Sequence, residues 1–212
     1  MSEVITILRR FVVFEGIDGS GTTTQLARLS RRLESAGAAW SSSSEPTNGP
    51  VGRLIRQALS GAFMARPETV ARLFAADRGE HLYGEAGIVE RVGRGELVVS
   101  DRYVFSSLAY QGLTCGADLP ASLNAPFPLP ELLLFFELDP EVSAARMSSR
   151  SSLEIYENLA FQRRVAAAYA DVIDSYKGSG MTVVRLDAAA GPDAVEEDVW
   201  AAVSPLLSRP RM

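Results

Sequence analysis

The sequence predicts an α/β fold in which a five-stranded parallel sheet carries helices on both faces. Two observations predict it. Five short apolar runs of strand length alternate with longer segments of helical periodicity along the chain. Near the start, one such run passes through a glycine-rich loop straight into a helix. With 212 residues and 47% hydrophobic content the chain can fill one core, and no repeat or linker divides it, so residues 1–212 are expected to form one domain.

The first strand is Phe11–Phe14, a β-branched and aromatic run. Glu15 to Gly21 follows with three glycines in seven residues. Thr22 to Ala36 then places Leu26, Ala27, Leu29, Leu33 and Ala36 at helical spacing, with Gly37 as the stop. From Gly16 to Thr23 the spacing is that of the phosphate loop G-x-x-x-x-G-K-[ST], except that Thr22 stands in the lysine position. Glycines let backbone N–H groups converge on phosphate oxygens, and the helix adds its positive N-terminal end. Gly16, Gly19, Ser20, Gly21, Thr22, Thr23 and Thr24 are the expected loop contacts, with the Thr23 hydroxyl available to Mg²⁺. An ordinary glycine-rich turn is the competing explanation of the loop alone.

Ala38–Ser44 is a second strand, followed by a turn-forming stretch from Glu45 to Pro50 with two prolines and a helix from Val51 to Ser60. Glu68 to about Arg94 is helical, with interruptions expected at Gly79, Gly84 and Gly87. Glu96–Ser100 reads as a buried parallel strand that delivers Asp101 and Arg102 to the edge where ligands bind in open α/β sheets. A helix from Tyr103 to Gln111, a connection from Thr114 to Pro130, and the very apolar strand Leu132–Leu138 come next. Helices are expected over Pro140–Arg146, Glu154–Tyr176 and Pro192–Leu207, with the last strand at Met181–Leu186.

Net charge −5 and a sequence pI near 5.1 argue against nucleic acid as a partner, since no basic face is forced by composition. No apolar run reaches the ~20 residues of a membrane span, and Met1–Arg10 lacks a signal-peptide core, so a cytoplasmic protein without a membrane partner is expected. Lone Cys115 allows no intrachain disulfide, and lone His81 gives little support to zinc or Ser-His-Asp chemistry. Of 21 basic residues only Lys177 is a lysine.

Several clusters admit two readings. Asp101 suits a Mg²⁺ ligand or a helix cap; Arg102 suits a bidentate phosphate clamp or an idle surface charge. Phe74, Asp77 and Arg78 share a helix face, where an aromatic and an arginine can read a base or serve as core and ion pair. Arg146, Arg150, Arg163 and Arg164 surround a serine-rich break, either as a segment that closes over phosphates or as an exposed helix face.

The stretches FEGIDGSGTTTQ, EPTNGPVGRLIR, LFAADRGEH, DRYVFSSLAYQG and LLLFFELDP, in this order, resemble the thymidylate kinase family over roughly Phe11 to Leu186. The resemblance implies a P-loop nucleoside monophosphate kinase fold with a lid at about 147–157, usually dimeric, that transfers the γ-phosphate of ATP to dTMP with Mg²⁺. It implies that Asp18 contacts the sugar hydroxyl and the metal-bound phosphates, that Phe74 stacks on thymine, and that Arg78 donates to its O4. Arg102 would hold the dTMP phosphate, Ser107 would touch the base, Tyr110 would exclude a ribose 2′-OH, and Gln111 would share that pocket. Arg150 would be the catalytic lid arginine with Arg146 beside it, and Tyr156-Glu157-Asn158 fits the lid flank.

Two departures bear on function: Ser44 replaces an arginine that commonly precedes Glu-Pro, and Thr22 replaces the loop lysine. One preorganised charge is worth ~3–4 kcal/mol in phosphoryl transfer. Two hypotheses follow: an active kinase in which Arg150, with Arg146, compensates, or a nucleotide-binding protein of the same fold with little or no catalysis. A kinase for another deoxynucleoside monophosphate is a third.

Overall fold

The computed structural model describes residues 6–147 and 158–208. Five strands, β1 (Ile7–Gly16), β2 (Trp40–Ser44), β3 (Leu97–Asp101), β4 (Leu129–Glu137) and β5 (Thr182–Asp187), form one parallel sheet in the order β2-β3-β1-β4-β5. The helices are α1 (Thr22–Ser35), α2 (Pro50–Leu59), α3 (Pro67–Tyr83), α4 (Ile88–Gly93), α5 (Val104–Ser106), α6 (Gly112–Cys115), α7 (Asp118–Asn124), α8 (Pro140–Met147), α9 (Leu159–Ser175) and α10 (Pro192–Leu207). Between α5 and α6 the chain widens into a π-helical turn, Ser107–Gln111.

The sheet forms because β1, β3 and β4 are apolar on both faces. Phe11–Phe14, Leu97–Val99 and Leu132–Phe136 are all buried, in one core with Leu29 and Leu33 of α1, Val165, Tyr169 and Ile173 of α9, and Val195, Val199 and Val203 of α10. A smaller core of Ile55, Ala58, Leu59 and Val70 joins α2 to α3, with Phe74 packed against its edge. Arg28 ties α1 to α10 through Asp193 at 2.7 Å and Glu196 at 2.5 Å. Among the described residues no helix is long and apolar enough to cross a membrane.

Several expected boundaries differ. β1 begins at Ile7, before Phe11, because Arg10 takes a positive φ of 61° where the pairing with β4 shifts register, and its N–H donates to Glu131. β4 begins at Leu129, so the expected connection from Thr114 to Pro130 also holds α7 and the first strand residues. Gly79 does not interrupt α3; the break falls at Gly84–Gly87, where a Cβ on Gly87 would lie 2.6 Å from the Leu82 carbonyl oxygen. The helix expected from Tyr103 starts at Val104 and runs through the π turn. The helix expected from Glu154 starts at Leu159, capped by Asn158 Oδ1, which accepts from the Phe161 N–H.

Candidate active site

The C-terminal ends of β1, β2, β3 and β5 open onto two adjoining cavities. The first, a cleft of about 500 Å³, is built by the loop Ile17–Gly21 and the first turn of α1, with Asp101, Arg102 and Arg146 on its walls. Two glycines there have no substitute. At Gly21, φ is 93°, which turns the chain into α1; at Gly16 a Cβ would meet Ser20 Oγ at 2.6 Å and the Phe136 carbonyl oxygen at 2.9 Å. The cleft is thus formed at a glycine-shaped loop and a helix N-terminus, the arrangement that binds anions. Thr22 lies in it where a phosphate-loop lysine would stand. Arg146 lies across the mouth, its guanidinium donating to the carbonyl oxygens of Gly19 at 3.4 Å and Ala188 at 2.9 Å.

At the back of this cleft Thr23 Oγ1 donates to Asp101 Oδ2 at 3.2 Å, while Asp101 Oδ1 is buried without a hydrogen-bond partner among the described residues. A hydroxyl and a carboxylate with a spare oxygen fit Mg²⁺, which keeps several waters and takes its remaining ligands from phosphates. No group of three or more His, Cys, Asp or Glu side chains able to hold a metal occurs among the described residues.

The second cavity is narrower, about 110 Å³, and is lined by side chains that include Asp18, Glu45, Phe74, Arg78, Arg102, Tyr110 and Gln111. Arg102 sits just past β3 with φ 74°, a left-handed conformation unusual for a non-glycine residue and costing ~1–3 kcal/mol. Its N–H donates to the Phe14 carbonyl at 2.9 Å and its own carbonyl accepts from Ser100 Oγ at 2.8 Å, which hold the strained turn to the sheet. The guanidinium donates to Asp18 Oδ1 at 2.5 Å, Ser106 Oγ at 3.2 Å and the Tyr169 hydroxyl at 3.3 Å, and lies 5.5 Å from the Tyr110 ring centre. Asp18 Oδ2 also accepts from Tyr110 at 3.2 Å and Gln162 at 3.0 Å.

Arg78 is 1% exposed at the opposite end of this cavity. It donates to Glu45 Oε2 at 2.6 Å, to Ser107 Oγ at 3.1 Å and to Asn124 Oδ1, and its Nε is buried without a partner among the described residues. His81 Nδ1 lies 3.0 Å from the other Glu45 oxygen. The loop that carries Glu45 is fastened by Asp77, which accepts from Thr47 N at 2.7 Å and Thr47 Oγ1 at 2.6 Å, and by Arg56, which donates to the Pro46 and Thr47 carbonyls.

The structure therefore gathers Asp18, Phe74, Arg78, Arg102, Tyr110 and Gln111 at one cavity and the loop residues, Asp101 and Arg146 at the other. Ser107 departs from expectation: it is buried beside Arg78, and the serine lining the cavity is Ser106. Arg163 takes the exposed-face reading, in an ion pair with Glu141. Arg150 and the pair Tyr156-Glu157 lie outside the described residues, as does the expected lid except Met147. Sequence reasoning passed over Glu15, Glu45, Ser106, Gln162 and Tyr169. The available signal was an acidic residue, Glu15, ending a run of otherwise apolar strand positions.

Two cavities that share Asp18 and Arg102, one at a glycine loop before a helix N-terminus and one lined by Phe74 and Arg78, at one edge of a five-stranded parallel sheet, are the arrangement of a P-loop nucleoside monophosphate kinase fold. The comparisons agree. The family model for thymidylate kinase matches residues 14–199. Relatives whose names contain thymidylate kinase include one from Treponema pallidum, 39% identical over 198 residues covering 92% of this chain and 95% of its own length. Others come from Aeropyrum pernix, 40% identical over 184 residues (86% and 87%), and Pyrobaculum aerophilum, 39% over 191 residues (89% and 93%). The chain belongs to the thymidylate kinase family.

Proposed function

We propose that this protein is an active thymidylate kinase that moves the γ-phosphate of ATP, as its Mg²⁺ complex, to dTMP with a phosphate loop that lacks its lysine. The observation carrying this reading is the common wall: Asp18 and Arg102 line both cavities, so an acceptor phosphate on Arg102 faces a donor phosphate in the loop. In-line transfer needs the two oxygens brought together and the developing charge met by fixed groups.

In this reading Gly16 and Gly19 to Thr24 cradle the ATP phosphates, Thr23 and Asp101 hold Mg²⁺, and Arg102 holds the dTMP phosphate. The unpartnered Arg78 Nε and Phe74 serve thymine, one as a donor to a ring carbonyl and the other as a stacking face. Tyr110 and Gln111 close the sugar side. Arg146, already at the mouth of the loop, and Arg150 supply charge that Thr22 cannot. One domain with a lid at about 147–157, a homodimer and a cytoplasmic setting complete the proposal, on family membership and composition.

A coupled assay of ADP release with dTMP, dUMP, dCMP and dGMP tests it. Turnover is expected with dTMP foremost. Binding of dTMP without turnover of any acceptor would instead establish the binding-only protein, the reading that Thr22 favours.

A further inference from the structure

Behind Arg102, three oxygens stand in a closed triangle. Glu15 Oε2 is 2.6 Å from Ser106 Oγ and 2.8 Å from the Tyr169 hydroxyl, and those two hydroxyls are 2.8 Å from each other. Each distance is that of an O–H···O hydrogen bond, and each bond needs a proton of its own. The two hydroxyls bring one apiece. An ionised Glu15 brings none, so one side of the triangle would set two oxygens against each other with nothing between them. A carboxylic acid supplies the third proton and closes the cycle. The other carboxyl oxygen, Oε1, accepts from the N–H groups of Tyr103 at 2.8 Å and Ser106 at 3.1 Å, which an acid's carbonyl oxygen does as readily.

We propose that Glu15 is a positioning residue kept as a neutral acid, and that the proton it stores keeps a second negative charge away from Arg102, which already pairs with Asp18, when the acceptor phosphate binds. Glu15 does not line either cavity. It acts through Ser106 and Tyr169, whose hydroxyls accept from Arg102 Nη1 at 3.2 and 3.3 Å while bonding to Glu15 on their other side. This inference rests on the reading that Arg102 holds the dTMP phosphate.

The surroundings account for the proton. Glu15 is fully buried, and burial pushes its carboxyl up to about 7, against the lowering pull of Arg102 and of the Ser106, Tyr169 and Tyr103 donors. The charged and titratable groups facing this cluster are Asp101, Arg102 and Tyr103 at the end of β3, Asp18 from the loop, Tyr110 from the π turn and Tyr169 from α9. With Glu15 neutral, Asp18 is the one carboxylate in direct contact with Arg102 among the described residues. With Glu15 ionised, two carboxylates would stand near one guanidinium, and an incoming phosphate dianion would meet a cluster of net negative charge instead of one balanced by Asp18 alone.

The test is the ratio of the KM for dTMP at about pH 8.5 to that at about pH 6, in wild type and in Glu15→Gln, a neutral isostere that keeps the Oε1 acceptor. The substrate's own titration is common to both proteins and cancels. The expected wild-type ratio exceeds the variant's by roughly ten-fold, because only wild type gains a charge beside Arg102 as pH rises. Equal ratios overturn the role assigned to the proton.

Two readouts without turnover address Glu15 itself. The wild-type infrared spectrum should show a protonated-carboxyl C=O band at about pH 5.5 that titrates out near 7 and is missing in E15Q. The native state holds a proton between about 4.5 and 7 that the unfolded chain has lost, so wild-type stability falls with rising pH across that window. E15Q should therefore melt above wild type at about pH 8.5, and by less at about pH 5. A missing band at pH 5.5 overturns the neutral acid, and this result does not depend on E15Q folding. A band that behaves as expected in a protein that fails to phosphorylate dTMP refutes the kinase reading, and with it the role of the proton, but not the neutral acid.

Discussion

The two cavities meet at Asp18 and Arg102 but are built by different means. The glycine-loop cleft is shaped by backbone at Gly16 and Gly21, with Arg102 and Arg146 on its walls. The narrower cavity is a side-chain structure, in which Arg78 and Glu45 are an ion pair with almost no exposure and Arg102 is held in a strained turn by named partners. A main-chain cradle survives the loss of one side chain because the N–H groups remain. A buried ionic network does not, because each member is there to satisfy another. Thr22 falls on the tolerant side of this division.

Substitutions break or sharpen the comparison. Glu45→Ala should have the largest effect: it strands the Arg78 charge in the interior and costs about 3–5 kcal/mol in stability, read from urea unfolding. Arg102→Ala should reduce kcat/KM for dTMP by roughly 10²–10³-fold, the loss expected for a preorganised charge. Lysine at that position should restore little, since a point charge cannot make the forked contacts with Asp18, Ser106 and Tyr169.

Thr22→Lys should raise kcat by about ten-fold, less than a full catalytic charge because arginines already share the task. An unchanged kcat would mean that they supply all of it. Arg150→Ala should then cost far more activity than Arg28→Ala. Arg28 lies in the ion pairs between α1 and α10 away from both cavities, and its loss should leave kcat where it was in the same assay.

The number and parallel direction of the five strands were legible because β1, β3 and β4 are buried on both faces and must be apolar throughout; their order across the sheet was not. The ends were harder to read. Arg9 and Arg10 look like loop, yet the bulge at Arg10 turns the chain so that pairing continues back to Ile7. Pro130 looks like a strand breaker, yet it lies within β4, where Leu8 is its partner on the far side of the register shift. At the site, Asp18, Arg102 and the loop glycines were visible because they lie within short, spaced motifs. The partners that fix them were not, because the contacts close over long separations: Tyr169 meets Glu15 from 154 positions away and Gln162 meets Asp18 from 144. A motif names the groups that touch substrate; the groups that orient those residues are brought together only by the sheet and α9.

The near-absence of lysine has a consequence for chemical reactivity. The sole lysine, Lys177, lies beyond the end of α9 in an exposed ion pair with Asp174 at 3.0 Å. The cations on the walls of both cavities are guanidinium groups, Arg78, Arg102 and Arg146, which are poor nucleophiles. Acylating and carbonyl reagents that consume a loop lysine in an ordinary phosphate loop find no amine side chain there. Threonine at position 22 therefore leaves the glycine-loop cleft with no amine side chain for acetylation.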